Sequence, residues 1–238
     1  MAGANAYWLA QNSDADIDKG FSDLKAAGLT TVRTWGFNDR TSPQDWGAYY
    51  QLFQNGQQIF NTGAYGISRF DAVIASAKKH GIHLIVALTN NWSDYGGMDV
   101  YVQALGCGQH GDFYTNTKCI NAFQTYIRNF VGRYKDEPTV LAWELANEPR
   151  CGGSNGGKGS CTSATITQWA KDISQFIKSI DSNHLVALGD EGFYEGGDSS
   201  GGYPYNAGEG INFVTNLGIS SLDFGTAHMY PDVSNTHD

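Results

Sequence analysis

Short apolar runs alternate along this chain with helical stretches, and the two kinds of connection between them differ sharply in length. The runs are "NAYWL" (5–9), "TTVRTW" (30–35), "HLIVALT" (83–89), "VLAWELANE" (140–148), "LVALGDE" (185–191) and "FGTAHMY" (224–230). Each reads as a strand. Helix-to-strand links are brief: "AAGL", "KKHGI", "KDEP", "DSN" and "NLGI". Strand-to-helix links are long and rich in glycine and aromatics, as in "GFNDRTSPQDWGAYYQLFQNGQQIFNTG", "NNWSDYGGMDVYVQALGCGQHGDFYTN" and "GFYEGGDSSGGYPYNAGEG". Strand, helix, strand in sequence implies right-handed crossovers and a parallel sheet. Elaborate loops on the carboxyl side of every strand are what a (β/α)8 TIM barrel builds its site from. Six strand runs supply about six of the eight units, so the expectation is an α/β fold, an incomplete TIM barrel spanning residues 1–238 as one domain. A doubly wound open sheet is the alternative, since it too binds ligand at strand carboxyl ends. Against it, no G-x-G-x-x-G follows the first strand, and in "GGKGSC" Lys158 precedes Gly159, not Ser or Thr.

The helical segments carry core-facing stripes. Ile17, Phe21 and Leu24 follow a Ser13 cap with Asp16 three residues on, the spacing of a capping box. Ile120, Phe123, Ile127, Phe130, Val131 and Tyr134 form one apolar stripe; Ile166, Trp169, Ile173, Phe176, Ile177 and Ile180 form another. At 238 residues with 41% hydrophobic residues the chain can bury a sizeable core.

Charge narrows the partners. The formal net charge is −9, and the 15 basic residues are nowhere clustered, which argues against nucleic acid or an anionic membrane. A neutral ligand fits better, and no apolar run has the length a bilayer demands. The start "MAGANAYWL" has neither a basic beginning nor a long apolar region, so any secretory signal is expected to have been removed. Four cysteines fall in two local pairs, Cys107 with Cys119 and Cys151 with Cys161. Two disulfides and an exported, extracellular protein are the preferred reading. Four reduced thiols are the alternative, and a zinc site is disfavoured because the spacings are not C-x-x-C.

Positions 140–149, "VLAWELANEP", hold two glutamates four residues apart, Glu144 and Glu148. The segment is bracketed by Pro138 and Pro149 and is too short for another core helix, so it reads as a strand. On a continuous strand the two carboxylates would share a face but lie roughly 13 Å apart. That is too far for a retaining pair at about 5–5.5 Å or an inverting pair at about 6.5–9.5 Å. Glu148, at the carboxyl end, is then the one that can reach a ligand. Glu144 is expected inside the barrel in a structural role, with Arg33 as a candidate partner.

A strand ending in Asn147-Glu148-Pro149, with "VRTWGFND" earlier and "HMYPD" later, resembles glycoside hydrolase family five of clan A. The fuller strings "WELANEPRC", "NNWSDYGG" and "NAYWL" are most similar to the fungal endo-β-1,4-mannanases of that family. The resemblance implies a retaining mechanism with Glu148 as general acid and then general base, and Asn147 bonded to the sugar 2-hydroxyl. It implies that Arg33 supports the nucleophile, that His228 and Tyr230 form the family's H-x-Y pair, and that Trp35 contacts substrate. Trp92 and Arg150 match positions lining the aglycone side, and Glu191 a further sugar contact. The implied partner is a neutral plant polysaccharide of the mannan type, with no cofactor and no metal. A related β-1,4-glycanase and a non-catalytic carbohydrate-binding protein are the competing expectations.

The family places its nucleophile, a second glutamate, at the end of the seventh strand. Asp190, Glu191, Asp223 and Asp232 sit on the wrong strands for it. The chain is therefore expected to lack the nucleophile, to be inactive alone, and to need a complementing C-terminal fragment. Three further residues read as incidental: "Asn91-Trp92-Ser93" is a glycosylation sequon whose glycan would crowd the cleft, and His80 and His83 lie on the short-loop side.

Overall fold

A computed structural model describes residues 1–195 and 208–230. The middle of the 192–210 loop and Asp232 lie outside them. In chain order the elements are β1 (Gly3–Asn5), α1 (Asp14–Ala26), β2 (Thr31–Trp35), β3 (Asp39–Arg40), β4 (Gln51–Gln54), β5 (Gln57–Phe60), α2 (Ser68–His80), β6 (His83–Ala87), α3 (Met98–Leu105), α4 (Thr117–Tyr134), β7 (Val140–Glu144), α5 (Ser163–Ile180), β8 (Leu185–Ala187) and α6 (Phe213–Asn216).

One sheet runs β1-β2-β6-β7-β8, all parallel. Its spatial order never reverses, which a doubly wound sheet must do at its switch point. Phe224 continues the series with a parallel bridge to Ala187, a sixth position in the same direction. The fold is an incomplete parallel barrel, six positions being filled by the described residues. No helix among the described residues is long and apolar enough to cross a membrane.

The stripes read from sequence face the core. On α4, Phe123, Ile127, Phe130 and Val131 are fully buried, and on α5 so are Ile166, Ile173 and Ile177. Phe130 lies 4.9 Å from Phe70 of α2 between ring centroids, and Phe123 stacks on Trp169 of α5 at 6.0 Å, so aromatic contacts tie the helical layer together. Helix α1 is capped as expected at Ser13, whose hydroxyl oxygen accepts the Asp16 N–H. The return half of the box differs: Asp16 accepts from the Ser13 hydroxyl at 2.6 Å, not from its backbone.

Several sequence-based boundaries need correction. The first strand is Gly3–Asn5, not 5–9, because Ala6, Leu9 and Ala10 are buried at i, i+3 and i+4, and Leu9–Gln11 forms a short 3-10 helix. The loop after β2 contains its own three-stranded sheet, β3-β4-β5, turned at Asn55-Gly56, where both residues have positive φ. The loop after β6 contains α3. The last run, 224–230, contributes a single bridge, not a strand.

Candidate active site

Strand β7 ends at Glu144, and the path beyond it is not a continued strand. Leu145 and Ala146 both donate their N–H to the β8 side, to Ala187 and Leu188 oxygens, where regular alternation would send one each way. Asn147 then donates to Thr89 and Glu148 to Gly189. The face alternation is reset, and Glu148 takes a left-handed conformation with φ 51°. Such a non-glycine residue stores roughly 1–3 kcal/mol of strain and is enriched at functional sites. Gly189 allows the crossing: its φ is 88°, and a Cβ there would lie 1.9 Å from the Ala146 oxygen. The separation expected for a regular strand therefore does not apply. Glu144 is excluded for another reason: it is 1% exposed and bound by Arg33 Nε at 2.7 Å.

Arg33 links the buried acid to the cleft. Its Nη2 donates to Asn147 Oδ1 at 2.9 Å, Asn147 Nδ2 donates to Asn90 Oδ1 at 3.0 Å, and that oxygen also accepts the Trp92 N–H at 3.2 Å. The other end of Trp92 closes on the neighbouring glutamate: Nε1 donates to Glu148 Oε2 at 2.6 Å. On the opposite side His228 Nδ1 lies 2.7 Å from Glu148 Oε1. Burial pushes the Glu148 carboxyl up, but the hydrogen bonds from His228 and Trp92 and the charges of His228 and Arg150 outweigh it and hold it below the usual carboxylate range.

These groups open into a cleft of about 640 Å³ lined by Asn5, Tyr7, Arg33, Trp35, Trp92, Asp94, Tyr95, Asn147, Glu148, His228, Met229 and Tyr230. Trp35 stacks on Tyr7 with centroids 4.5 Å apart and meets the Tyr95 edge at 4.8 Å. Its buried indole N–H has no hydrogen-bond partner among the described residues. Among the described residues, no group of three or more His, Cys, Asp or Glu could hold a metal.

The structure thus brings Arg33, Trp35, Trp92, Asn147, Glu148, His228 and Tyr230 into one cleft. It does not bring Arg150 and Glu191 to its lining. Arg150 Nε and Nη2 are held by the two Glu191 oxygens at 2.7 and 2.8 Å, Nη1 lies 2.9 Å from Glu209, and the guanidinium sits over the rings of Trp92 and Phe193 at 5.1 and 5.0 Å. Burial leads in pushing Glu191 above its usual range, the charge of Glu148 adds to it, and Arg150 opposes both. Asp190 is buried against Asn216 at 3.4 Å, and burial pushes it up to about 7. The cysteines bond in the two local pairs, Cys107–Cys119 and Cys151–Cys161. Asn91 of the sequon is fully buried with both amide atoms engaged, by Gly152 O on one side and by the Arg150 N–H on the other, so it cannot carry a glycan without unfolding the loop. His80 binds Asp18 at 2.9 Å on the helical surface, and His83 opens β6 at the end remote from the cleft.

Sequence reasoning missed Asn5, Tyr7, Asp94, Tyr95 and Met229 as cleft residues. Asn5 ends β1 and could have been found had that strand been placed correctly. Tyr95 was hidden in a loop whose course depends on Asp39: its carboxylate accepts the Gly97 N–H at 3.1 Å, and its own N–H bonds the Tyr95 oxygen at 2.9 Å.

A parallel barrel sheet, an open aromatic cleft at its carboxyl ends and a carboxylate held between an indole and an imidazole define a (β/α)-barrel protein with a candidate active site at the carboxyl ends of its strands. The family model described as cellulase (glycosyl hydrolase family 5) matches residues 7–238, and the chain belongs to that family. It is 50% identical over 235 residues to mannan endo-1,4-beta-mannosidase A of Aspergillus aculeatus, covering 98% of this chain and 60% of that protein. It is similar in structure to the endo-1,4-beta-mannanase of Rhizomucor miehei, with a TM-score of 0.92, 43% identity and coverage of 97% of this chain and 67% of that one. A hyperthermostable endo-1,4-beta-D-mannanase of Thermotoga petrophila aligns with a TM-score of 0.81 at 33% identity. The chain spans about 60% of the length of the first of these relatives.

Proposed function

We propose that this chain is the acid/base-bearing part of an endo-acting, retaining β-1,4-mannanase. The observation that carries the proposal is the placement of Glu148, gripped by Trp92 and His228 at the open face of an aromatic cleft, in a chain half identical to a mannan endo-1,4-beta-mannosidase. Glu148 protonates the leaving glycosidic oxygen and then deprotonates the attacking water. Arg33 and Asn147 position the reacting sugar, and Tyr7, Trp35, Trp92 and Tyr230 offer flat faces and donors to a neutral polymer. The residues 1–238 act as one domain.

The second carboxylate comes from residues beyond this chain. Among the described residues the cleft contains one other, Asp94, in an exposed turn. Against the pull of burial, Glu148 is held within this chain below the usual carboxylate range by His228 and Trp92, so it is ionised at neutral pH. A second carboxylate facing it, together with a bound sugar that excludes water, would raise it into the range a general acid needs. The chain alone is inactive, and a C-terminal fragment carrying the remaining strands completes it. The protein is exported, where its two disulfides are stable.

The test is reducing-end release from mannan, cellulose and xylan by the chain supplemented with the C-terminal part of the Aspergillus aculeatus relative, with the product anomer followed by proton NMR. Mannan cleavage with retained β configuration supports the proposal. Preferred cleavage of cellulose or xylan, or inverted product, rejects it.

A further inference from the structure

A fully buried histidine lies behind the cleft, where neither the motif nor the mechanism uses it. His110 follows the first disulfide cysteine in the loop after α3, and its side chain has no exposure. Its Nε2 lies 2.9 Å from Asn91 Oδ1, and its Nδ1 lies 2.7 Å from Asp99 Oδ1. The roles are fixed by the neighbours. Asn91 Oδ1 also accepts the backbone N–H of Arg150 at 3.0 Å, and a backbone N–H can only donate, so this atom is the amide oxygen and His110 Nε2 must be a donor to it. Asn91 Nδ2 donates in turn to Gly152 O at 3.0 Å. The second Asp99 oxygen accepts both the backbone N–H and the side-chain amide of Asn155, each at 3.1 Å.

One imidazole therefore joins three segments: the loop after β6 through Asn91, helix α3 through Asp99, and the disulfide-closed loop after β7 through Gly152 and Asn155. The third segment is moulded on the ring itself, since a Cβ at Gly153 would lie 2.1 Å from His110 Nδ1. Two of these segments carry the acid site. Trp92 is the next residue after Asn91, and Arg150, whose N–H shares the Asn91 oxygen, is two residues after Glu148.

We propose that His110, with Asp99, is a positioning residue for Glu148: it locks the β6 and β7 loops in the one register that delivers the Trp92 indole N–H to the Glu148 carboxylate. Neither residue touches the cleft, so the effect travels through Asn91 and the Arg150 backbone. The role has catalytic meaning only under the acid/base reading above. The geometry it fixes is nevertheless measurable without any glycan, so failure of mannan cleavage and failure of this proposal are separate results.

The experiment uses the intact chain labelled with 15N and with 13C at the glutamate carboxyls, the Glu148 signal being assigned by Glu148→Gln and the Trp92 indole by Trp92→Phe. In the unaltered chain, the His110 Nε2–H should appear as a resonance protected from solvent exchange. A ring without a proton at Nε2 overturns the proposal whatever the variants do. In Asp99→Asn and His110→Gln, the Trp92 indole N–H should move upfield or broaden, and the Glu148 midpoint should rise by about one pH unit, the equivalent of one lost hydrogen bond. The Trp143 indole, bonded to Asp181 at the far end of the barrel, should stay in place, which separates a positioning effect from general loosening. Folded variants with unchanged Trp92 and Glu148 signals, or with Trp143 displaced equally, overturn it.

Discussion

His228 Nδ1 lies 2.7 Å from Glu148 Oε1, joining residues 80 positions apart in the chain at the rim of the cleft. With Trp92 on the other oxygen, the carboxylate is held against the pull of burial, and its pKa is lowered in the folded state. A depressed carboxyl contributes stability that is present above its unfolded value, about 4.3, and lost as pH falls through the folded value. His228→Gln should raise the Glu148 midpoint and make the acid limb of a urea-stability profile shallower between about pH 5 and 3. An unchanged carboxyl titration would contradict the contact.

The Arg33–Glu144 pair is expected to matter for stability in a way an exposed pair does not. Glu144 is 1% exposed, so removing its partner leaves a buried charge unmatched. Arg33→Met should cost about 3–5 kcal/mol in denaturant unfolding, while the paired change with Glu144→Leu should recover much of it. A loss under about 1 kcal/mol in the single variant would place the pair in the class of exposed salt bridges.

How much of this was legible in the sequence depends on which force decided each feature. The strand-helix alternation and the stripes on α4 and α5 are periodic burial, so β2, β6 and β7 fell close to where apolar runs placed them. The resemblance put Asn147-Glu148-Pro149 at the end of a strand, whereas β7 ends at Glu144 and the motif lies beyond it, so the strand-geometry reason for choosing Glu148 over Glu144 was incomplete. The reset of alternation after β7 and a left-handed residue are set by hydrogen bonding to the segments that follow β6 and β8, which no local pattern encodes. Arg150 and Glu191 illustrate the other limit. Nothing local says that an arginine and a glutamate 41 residues apart will take each other as partners. His110 was invisible for the same reason, since its two partners, Asn91 and Asp99, come from the loop after β6 and from helix α3.

At the amino end of the barrel, His184 and Asp181 should give the protein a pH-dependent stability with two limbs. Their side chains are 2.6 Å apart and almost fully buried. Burial lowers the His184 pKa, but the hydrogen bond and charge of Asp181 and the Glu137 carbonyl more than reverse it, leaving it raised, while the same contact leaves Asp181 lowered. The histidine's contribution is complete below its unfolded value of about 6.5 and is lost as pH rises through the folded value; the aspartate's is complete above about 3.9 and lost on acidification. Urea midpoints should therefore fall from pH 6 to pH 8.5, and His184→Gln should flatten that fall. Equal slopes in both proteins would reject the assignment.

Both disulfides should be closed in the native protein, so thiol titration under denaturing, non-reducing conditions should find no free cysteine. Four free thiols would reject the two bonds and the inference of export with them. Replacing Cys151 and Cys161 by alanine should cost about 2–3 kcal/mol, as expected for a loop closed over 10 residues. Because that loop is moulded on His110, the same change should also weaken protection of the His110 ring proton. Full protection in the double variant would show that the loop needs no covalent closure.

The central claim is that Glu148 is one half of a carboxylate pair whose other half lies outside this chain. The most direct measurement is the rate of reducing-end release from mannan by four samples: the chain, a fragment carrying the last two barrel strands, the two together, and the two together with Glu148→Gln. The account predicts release by the third sample alone. Release by the chain without the fragment, or release by the two together that Glu148→Gln leaves undiminished, would contradict it.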